Sequence, residues 1–525
     1  GEHHDDVTML YFCQVSYSNF SVAVSEDGES WSDDYIADMA EGECFQWKYL
    51  TPSYMGKDKY GNDKRFFYSQ PIKFSARYVR ITSQQIGLKM NEVIFHDTNG
   101  DRIPATVIAQ LNVMEESTLY SDANNIFDEQ DTLEGLPSWW NSTYFDEIYH
   151  ARTAYEHLHG TAPYETSHPP LGKVIMSLGI AIFGMVPFGW RVMGALAGIL
   201  MLPAMYLLGK QLTKKSSFAF AAALMLALDC QHFTQTRIAT IDSYPVLFIL
   251  FSWLFMLRFM QRDIVRLPVK KLLPDLALSG LFMGLGIASK WIGVYSGAGL
   301  AVAFFWTIFR HMRMAATSAH LLKTDKSLSD EDRKILTLRD QTTMKRVLVI
   351  CLWCLLFFVA IPLAIYLLAY IPYFAYAHFD NLKDYLTAVW NAQLRMFSYH
   401  SKPGLGMDHP FYSPWYEWIF NQRPMYYASP TYVNTPGWSY AIWCFGNPAI
   451  WSAALVGFAY TVFMWAKRHR YTLRKDGETL HWTAADWDVT MPFLLLSALS
   501  QFLPWVLVPR GTYIYHYFAT TPFLM

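Results

Sequence analysis

"WRVMGALAGILMLPAMYLLGKQLTKK", residues 190 to 215, decides the fold class. Its first twenty residues hold a single charge, Arg191, and three lysines follow within six positions. About 20 consecutive apolar residues let a helix cross the ~30 Å hydrocarbon core of a bilayer. Lys and Arg collect in the loops on the cytoplasmic side. The stretch therefore predicts a membrane-spanning helix that ends in a cytoplasmic loop.

The pattern repeats outward from there. Apolar runs cover 190–209, 216–232, 243–260, 274–289, 291–309, 347–370, 441–466, 489–508 and 511–525. Basic clusters follow at Lys210, Lys214 and Lys215, at Arg258 to Lys271, at Arg310 to Arg346, and at Lys467 to Lys475. With all four clusters in the cytoplasm the runs alternate consistently. The external side then receives residues 1–189, "HFTQTRIATIDS" (232–243), the Lys290 turn, the 371–440 loop and the Pro509-Arg510-Gly511 turn. The run 171–187 is at the lower length limit for a span. It is expected as an external or partly inserted juxtamembrane helix. Asn447, before Pro448, is expected to cap a span.

Composition agrees with a membrane protein. Of 525 residues, 52% are hydrophobic and 16% charged, where a soluble chain carries about a quarter charged. A net charge of -2 offers no basic field for nucleic acid. Six cysteines over this length argue against a disulfide scaffold or a zinc ribbon. Cys351 and Cys354 lie inside an apolar run and read as packing residues, while Cys13 and Cys44 can pair in an oxidising compartment.

Residues 1–112 read as a β domain. "NFSVAVSEDGESW" (19–31) alternates and turns at Asp27-Gly28; "ARYVRIT" (76–82) and "MNEVIFHD" (90–97) alternate again. A polar connector, 113–145, follows. Residues 113–189 form one external segment that holds the adjacent acids Asp146 and Glu147, and 190–525 is the polytopic domain. Glycine at position 1 and an apolar run at Met525 read as a fragment, with an incomplete β domain and at least one membrane segment missing on each side.

This topology gathers the ionisable residues on one side: Asp146, Glu147, His168, Lys173, Arg237, Asp242, Lys290, Arg423, Arg510 and His516. Such residues at membrane boundaries are costly unless paired or hydrated, so they are candidates for function. Asp242 stands five positions from Arg237 and is expected to pair with it, or to join Asp146 and Glu147 around a divalent cation.

"FDEIYH…SHPPLGK" (145–173) and "TQTRIATIDSYPVLF" (234–248) resemble the protein O-mannosyltransferase family, within the GT-C superfamily of phospholipid-carrier-dependent membrane glycosyltransferases. The likeness continues through "ASKWIGVYSG" (288–297), "HPFYSPWYEWIFNQRPMYY" (409–427), "GNPAIW" (446–451) and "PRGTYIYHYF" (509–518). It covers about residues 140–525. The β motifs resemble the second half of a discoidin-type, galactose-binding-like jelly roll inserted in the first external loop, a module that usually binds glycans or lipids through loops, the alternative here being a spacer with no ligand. The resemblance implies an α-helical polytopic GT-C protein with an extracytoplasmic β-sandwich. It further implies a mannosyltransferase using a polyprenyl-phosphate-mannose donor, with inversion, on Ser/Thr hydroxyls of an extracytoplasmic protein acceptor. Asp146 is then the base, with Glu147 and Asp242 supporting it, and His168, Lys173, Arg237, Lys290, Arg423, Arg510 and His516 hold the donor phosphate. The 371–440 loop is short where eukaryotic members carry a large insert, which implies a bacterial relative in the cell membrane. The alternatives are a cell-wall polymer or glycolipid acceptor and, more remotely, a glycan-binding scaffold or transporter.

Overall fold

The computed structural model describes residues 2–13, 20–37, 46–57, 61, 63–68, 70–83, 90–111, 122–128, 130, 140–428, 441–475 and 488–525, without the side chains of 13, 64 and 468–475. Cys44, the Cys13 side chain and most of the polar connector lie outside these. The chain divides into two compact units: Gly1–Arg152 with Ala428–Ala441, and Thr153–Tyr427 with Ile442–Met525.

The first unit is a β-sandwich. In chain order its strands are β1 (His4–Cys13), β2 (Phe20–Ser25), β3 (Tyr35–Ala37), β4 (Gln46–Tyr49), β5 (Ser53–Lys57), β6 (Asp63–Phe67), β7 (Phe74–Ala76), β8 (Tyr78–Ser83), β9 (Met90–His96) and β10 (Arg102–Ile103). One sheet runs β10-β9-β1-β4, with β7 also on β1, and a second runs β3-β2-β8. Side chains point to alternate faces of a strand. Val7, Met9 and Tyr11 of β1 therefore meet Phe20 and Val22 of β2, Phe74 of β7 and Val93 and Phe95 of β9 in one core. Leu10 and Phe12 point the other way, against Trp47, Tyr49 and Ile94. The turn at Asp27-Gly28 forms as the sequence indicates: Gly28 has φ +80°, and Asp27 accepts from the Glu29 and Ser30 amides at 2.8 Å. The β5–β6 hairpin leaves Tyr54, Phe67 and Tyr68 exposed, with Tyr54 stacked on Phe66.

The second unit is helical. Helix α1 (Glu147–Leu158) leads in from the first unit, followed by α2 (Leu171–Phe183), α3 (Pro187–Thr213), α4 (Ser216–Ala227), α5 (Cys230–Arg237), α6 (Ser243–Met260), α7 (Val269–Ser289) and α8 (Ile292–Thr324). Next come α9 (Asp330–Leu355), which passes through one π-helical turn (Leu356–Ala360) into α10 (Ile361–Tyr373), then α11 (Leu382–His400), α12 (Trp415–Trp418), α13 (Pro448–Lys475), α14 (Thr490–Phe502) and α15 (Thr521–Leu524). Among the described residues seven helical stretches are long and apolar enough to cross a membrane: 187–213, 243–260, 269–289, 292–324, 330–373, 448–467 and 490–507. Helix α6 is central, with 78% of its residues buried. On the outer helices Ile199, Phe220, Phe305, Leu352, Val456 and Phe463 are all more than 60% exposed, a surface that suits lipid.

Three of the apolar runs correct the sequence expectation. The run 216–232 breaks after α4, because Asp229 leaves the apolar pattern to cap α5, accepting from the His232 amide at 3.2 Å. The 12 residues of α4 make about 18 Å, short of a bilayer core. The run 511–525 is a 3-10 turn, Ile514–Ala519, followed by the single turn α15. Its Phe518 and Tyr517 are buried in the protein, and Gln231 of α5 donates to the Ile514 carbonyl at 2.9 Å. Its hydrophobicity serves a core and not a span. The third run, 441–466, becomes helical only at Pro448, where Asn447 caps α13 as anticipated, accepting from the Ala449 amide at 3.1 Å. Helix α2 has 13 residues, about 20 Å, which fits a helix that does not cross.

Candidate active site

The acidic pair sits at the start of α1 in the first unit. Glu147 is fully buried. Its carboxylate accepts from the Tyr144 amide at 3.1 Å, while its own amide donates to the Tyr144 carbonyl at 3.2 Å. Both bonds close a tight turn over residues 144–147. Inside it Phe145 has φ +51°, a left-handed conformation that costs a side-chain-bearing residue about 1–2 kcal/mol and persists only where its surroundings enforce it. Asp146 follows directly and is half-buried. Glu147 thus holds the turn from which Asp146 projects.

A cationic group assembles in the second unit from segments far apart in sequence. Lys290, at the end of α7, forms an ion pair with Asp242, at the start of α6, at 2.7 Å; both are largely buried. The expected Arg237–Asp242 pair is not formed, because Lys290 takes that carboxylate, and the Arg237 guanidinium lies 5.2 Å over the Phe233 ring. Lys290 also stands 5.9 Å over Tyr515, whose ring is 4.5 Å from His516.

His168 and Lys173 share one partner that sequence reasoning missed, Glu165. Its carboxylate binds the fully buried Lys173 ammonium and lies 3.2 Å from His168 Nδ1. Lys173 also donates to the Glu165 carbonyl at 2.9 Å. The signal was present, since a lysine entering an apolar helix needs an acid nearby, and Glu165 lies two positions before the quoted "SHPPLGK". Also missed was His400, at the end of α11. It bonds the Ser167 carbonyl at 2.7 Å and meets the His168 ring edge-on at 5.2 Å.

Arg510 is placed by close backbone packing. The Gly511 amide donates to Leu405 at 2.7 Å and the Gly404 amide to Pro509 at 3.0 Å. A Cβ on Gly511 would lie 2.5 Å from the Gly406 carbonyl, so only glycine fits. The Arg510 guanidinium stacks 5.8 Å over Tyr399, and among the described residues it has no carboxylate partner. Arg423, in contrast, braces its own loop, donating to the Tyr412 carbonyl at 2.6 Å and lying 3.5 Å from Glu417.

Electrostatics tie these groups together. Burial holds His168 down to about 3 and His400 to about 4, and His516 well below its ordinary range. The charge of Lys290 adds to burial at all three, and that of Arg510 at His400 and His516. The His516 Nδ1 accepts from the Tyr513 amide at 3.0 Å. All three rings are therefore neutral near pH 7, near the paired Lys290 and near Arg510, which has no carboxylate partner among the described residues. Protons bind these rings in the unfolded chain near pH 6.5 but not in the folded one. Stability is thus complete above pH 6.5 and falls as pH drops from there towards about 3. Thermal melts of the detergent-solubilised protein are expected to show this acid slope, and His516→Gln to flatten it; an unchanged slope would count against the burial of that ring.

Among the described residues no group of three or more His, Cys, Asp or Glu side chains is arranged to hold a metal ion. Two of the three acids considered for a divalent cation, Glu147 and Asp242, are each engaged by another donor.

Seven apolar helical stretches long enough to span a bilayer make this a multi-pass membrane protein, with Lys290 and Arg510 beside His400 and His516. The dolichyl-phosphate-mannose-protein mannosyltransferase family matches residues 182–382, and the C-terminal four-transmembrane region of protein-O-mannosyltransferase matches 385–525. The chain belongs to the protein O-mannosyltransferase family. It is 24% identical over 437 residues to the polyprenol-phosphate-mannose–protein mannosyltransferase of Mycolicibacterium smegmatis, covering 74% of this chain and 76% of that one. It is 25% identical over 421 residues to the protein of the same name from Mycobacterium tuberculosis, covering 71% and 76%. Its fold is similar to that of an S. cerevisiae protein O-mannosyltransferase complex bound to the sugar donor, with TM-score 0.54 at 12% identity, covering 74% of this chain and 81% of that one.

Proposed function

We propose that the protein is an integral membrane glycosyltransferase that moves a mannosyl residue from a polyprenyl-phosphate donor to Ser or Thr hydroxyls of proteins, with inversion. The observation that carries this reading is the Arg510 guanidinium, without a carboxylate partner among the described residues, in a cluster with Lys290 and three neutral histidines. A phosphate monoanion supplies the missing charge. The prenyl tail stays in lipid, so the phosphate is met at helix ends, where Lys290 and Arg510 stand.

The chemistry needs one base and fixed cations. An acceptor hydroxyl is a poor nucleophile at neutral pH, so Asp146 takes its proton as the oxygen attacks the anomeric carbon. The bond from that carbon to the phosphate oxygen breaks, and polyprenyl phosphate leaves. A single displacement inverts the configuration. Arg510 and Lys290 stabilise the charge that grows on the leaving phosphate. Asp242 fixes the Lys290 ammonium, and Glu165 does the same for Lys173 and His168. The β domain and the acid turn belong on the extracytoplasmic side. The glycan suggested for the β domain would meet an exposed aromatic platform on the β5–β6 hairpin, Tyr54, Phe67 and Tyr68.

Membranes supplied with labelled polyprenyl-phosphate-mannose and a Ser/Thr peptide are expected to label the peptide. Arg510→Gln is expected to lower kcat/KM roughly 10²-fold, as for other fixed donors to a developing oxyanion. Label recovered in glycolipid or polymer and not in peptide would reassign the acceptor. An Arg510→Gln enzyme as fast as the wild type would remove the phosphate site from Arg510.

A further inference from the structure

Among the described residues β4 is an edge strand of the β-sandwich, paired with β1 on one side. Such an edge presents unpaired backbone groups and is normally covered. Here the covering segment is the one that leads into the acid turn. The Trp47 amide donates to Ser142 Oγ at 3.1 Å, and the Gln46 side-chain amide donates to the Thr143 carbonyl at 3.1 Å. Ser142, Thr143 and Tyr144 are all buried, as are Trp47 and Tyr49 of β4. Two residues beyond Tyr144, after the left-handed Phe145, stands Asp146.

These bonds form a continuous line from sheet to carboxylate. The sheet fixes β4, β4 fixes 142 and 143, and Glu147 grips the Tyr144 amide. Together they enforce the strained φ of Phe145, which isolated chain would relax. A spacer domain would have no need to hold the turn at both ends.

We propose that the β domain is part of the catalytic apparatus. Its β4 edge, through Gln46 and Ser142, positions the turn that carries Asp146, whatever else the domain binds. Gln46 and Ser142 are positioning residues, acting on the reaction only through Asp146. The inference rests on the reading of Asp146 as the base.

The test uses the full-length protein in detergent or membranes, with labelled donor and Ser/Thr peptide, and records kcat, donor KM and melting temperature together. A misplacement of about 1 Å costs up to 10²-fold in rate. Gln46→Ala and Ser142→Ala are therefore expected to lower kcat roughly tenfold each. Donor KM and melting temperature are expected to stay near wild type, and Ser142→Thr, which keeps the hydroxyl, to recover the rate. If the alanine variants do not fold, Gln46→Glu supplies the same readout, because it removes the donor to Thr143 with the shape retained. An unchanged kcat in the double alanine variant, with Asp146→Asn inactive, overturns the inference and leaves the base in place. A loss that follows melting temperature and is not recovered by threonine overturns it too. Full activity in Asp146→Asn removes the base and the inference together.

Discussion

Asp146→Asn is expected to lower mannosyl transfer by roughly 10²–10⁴-fold, the range that a positioned general base contributes. The amide keeps the size of the carboxylate and can stay in the same turn, since Glu147 and not Asp146 closes that turn on the Tyr144 amide. Donor binding should therefore survive. The measurement is single-turnover transfer to peptide beside equilibrium binding of labelled donor. Rapid transfer by the asparagine variant would take the proton-accepting role away from this residue.

The second large effect concerns Lys290 and Asp242. Removing one partner of a buried ion pair leaves an uncompensated charge, at a cost of about 3–5 kcal/mol. Lys290→Met is thus expected to lose both thermal stability and transfer. In Lys290→Met/Asp242→Leu both charges are gone, and replacing a buried pair by apolar residues is often neutral. The double variant should regain its melting temperature and still fail to transfer, because the phosphate has lost a cation. Transfer at wild-type rate by the double variant would make the pair purely structural. Loss of stability in the double variant as deep as in the single would mean that packing, not charge, sets the cost.

Much of this molecule was legible from its sequence. Long apolar runs with basic ends gave the spanning helices, because a bilayer penalises unpaired backbone and charge so heavily that composition reports it. Asp27-Gly28 announced its turn through local backbone chemistry. Arg510 and Lys290 stood out as cations at the ends of apolar runs. In the other places the sequence was ambiguous. Residues 511–525 hold no Asp, Glu, Lys or Arg, and a lack of charge does not separate a segment buried in protein from one buried in lipid. Asp242 had a plausible partner five residues away in Arg237, yet it pairs with Lys290, 48 positions on.

What the sequence determined by itself is everything set by local or one-dimensional physics: the membrane class, the β segment, the acid pair and the family's landmarks. What only the tertiary structure decided is which charges meet. Glu165 with Lys173, His400 with His168, and Gln46 with the Thr143 carbonyl are pairings across folded space. Their partners are chosen by burial and geometry, since a buried polar group must find whichever complementary group the packing brings within about 3 Å.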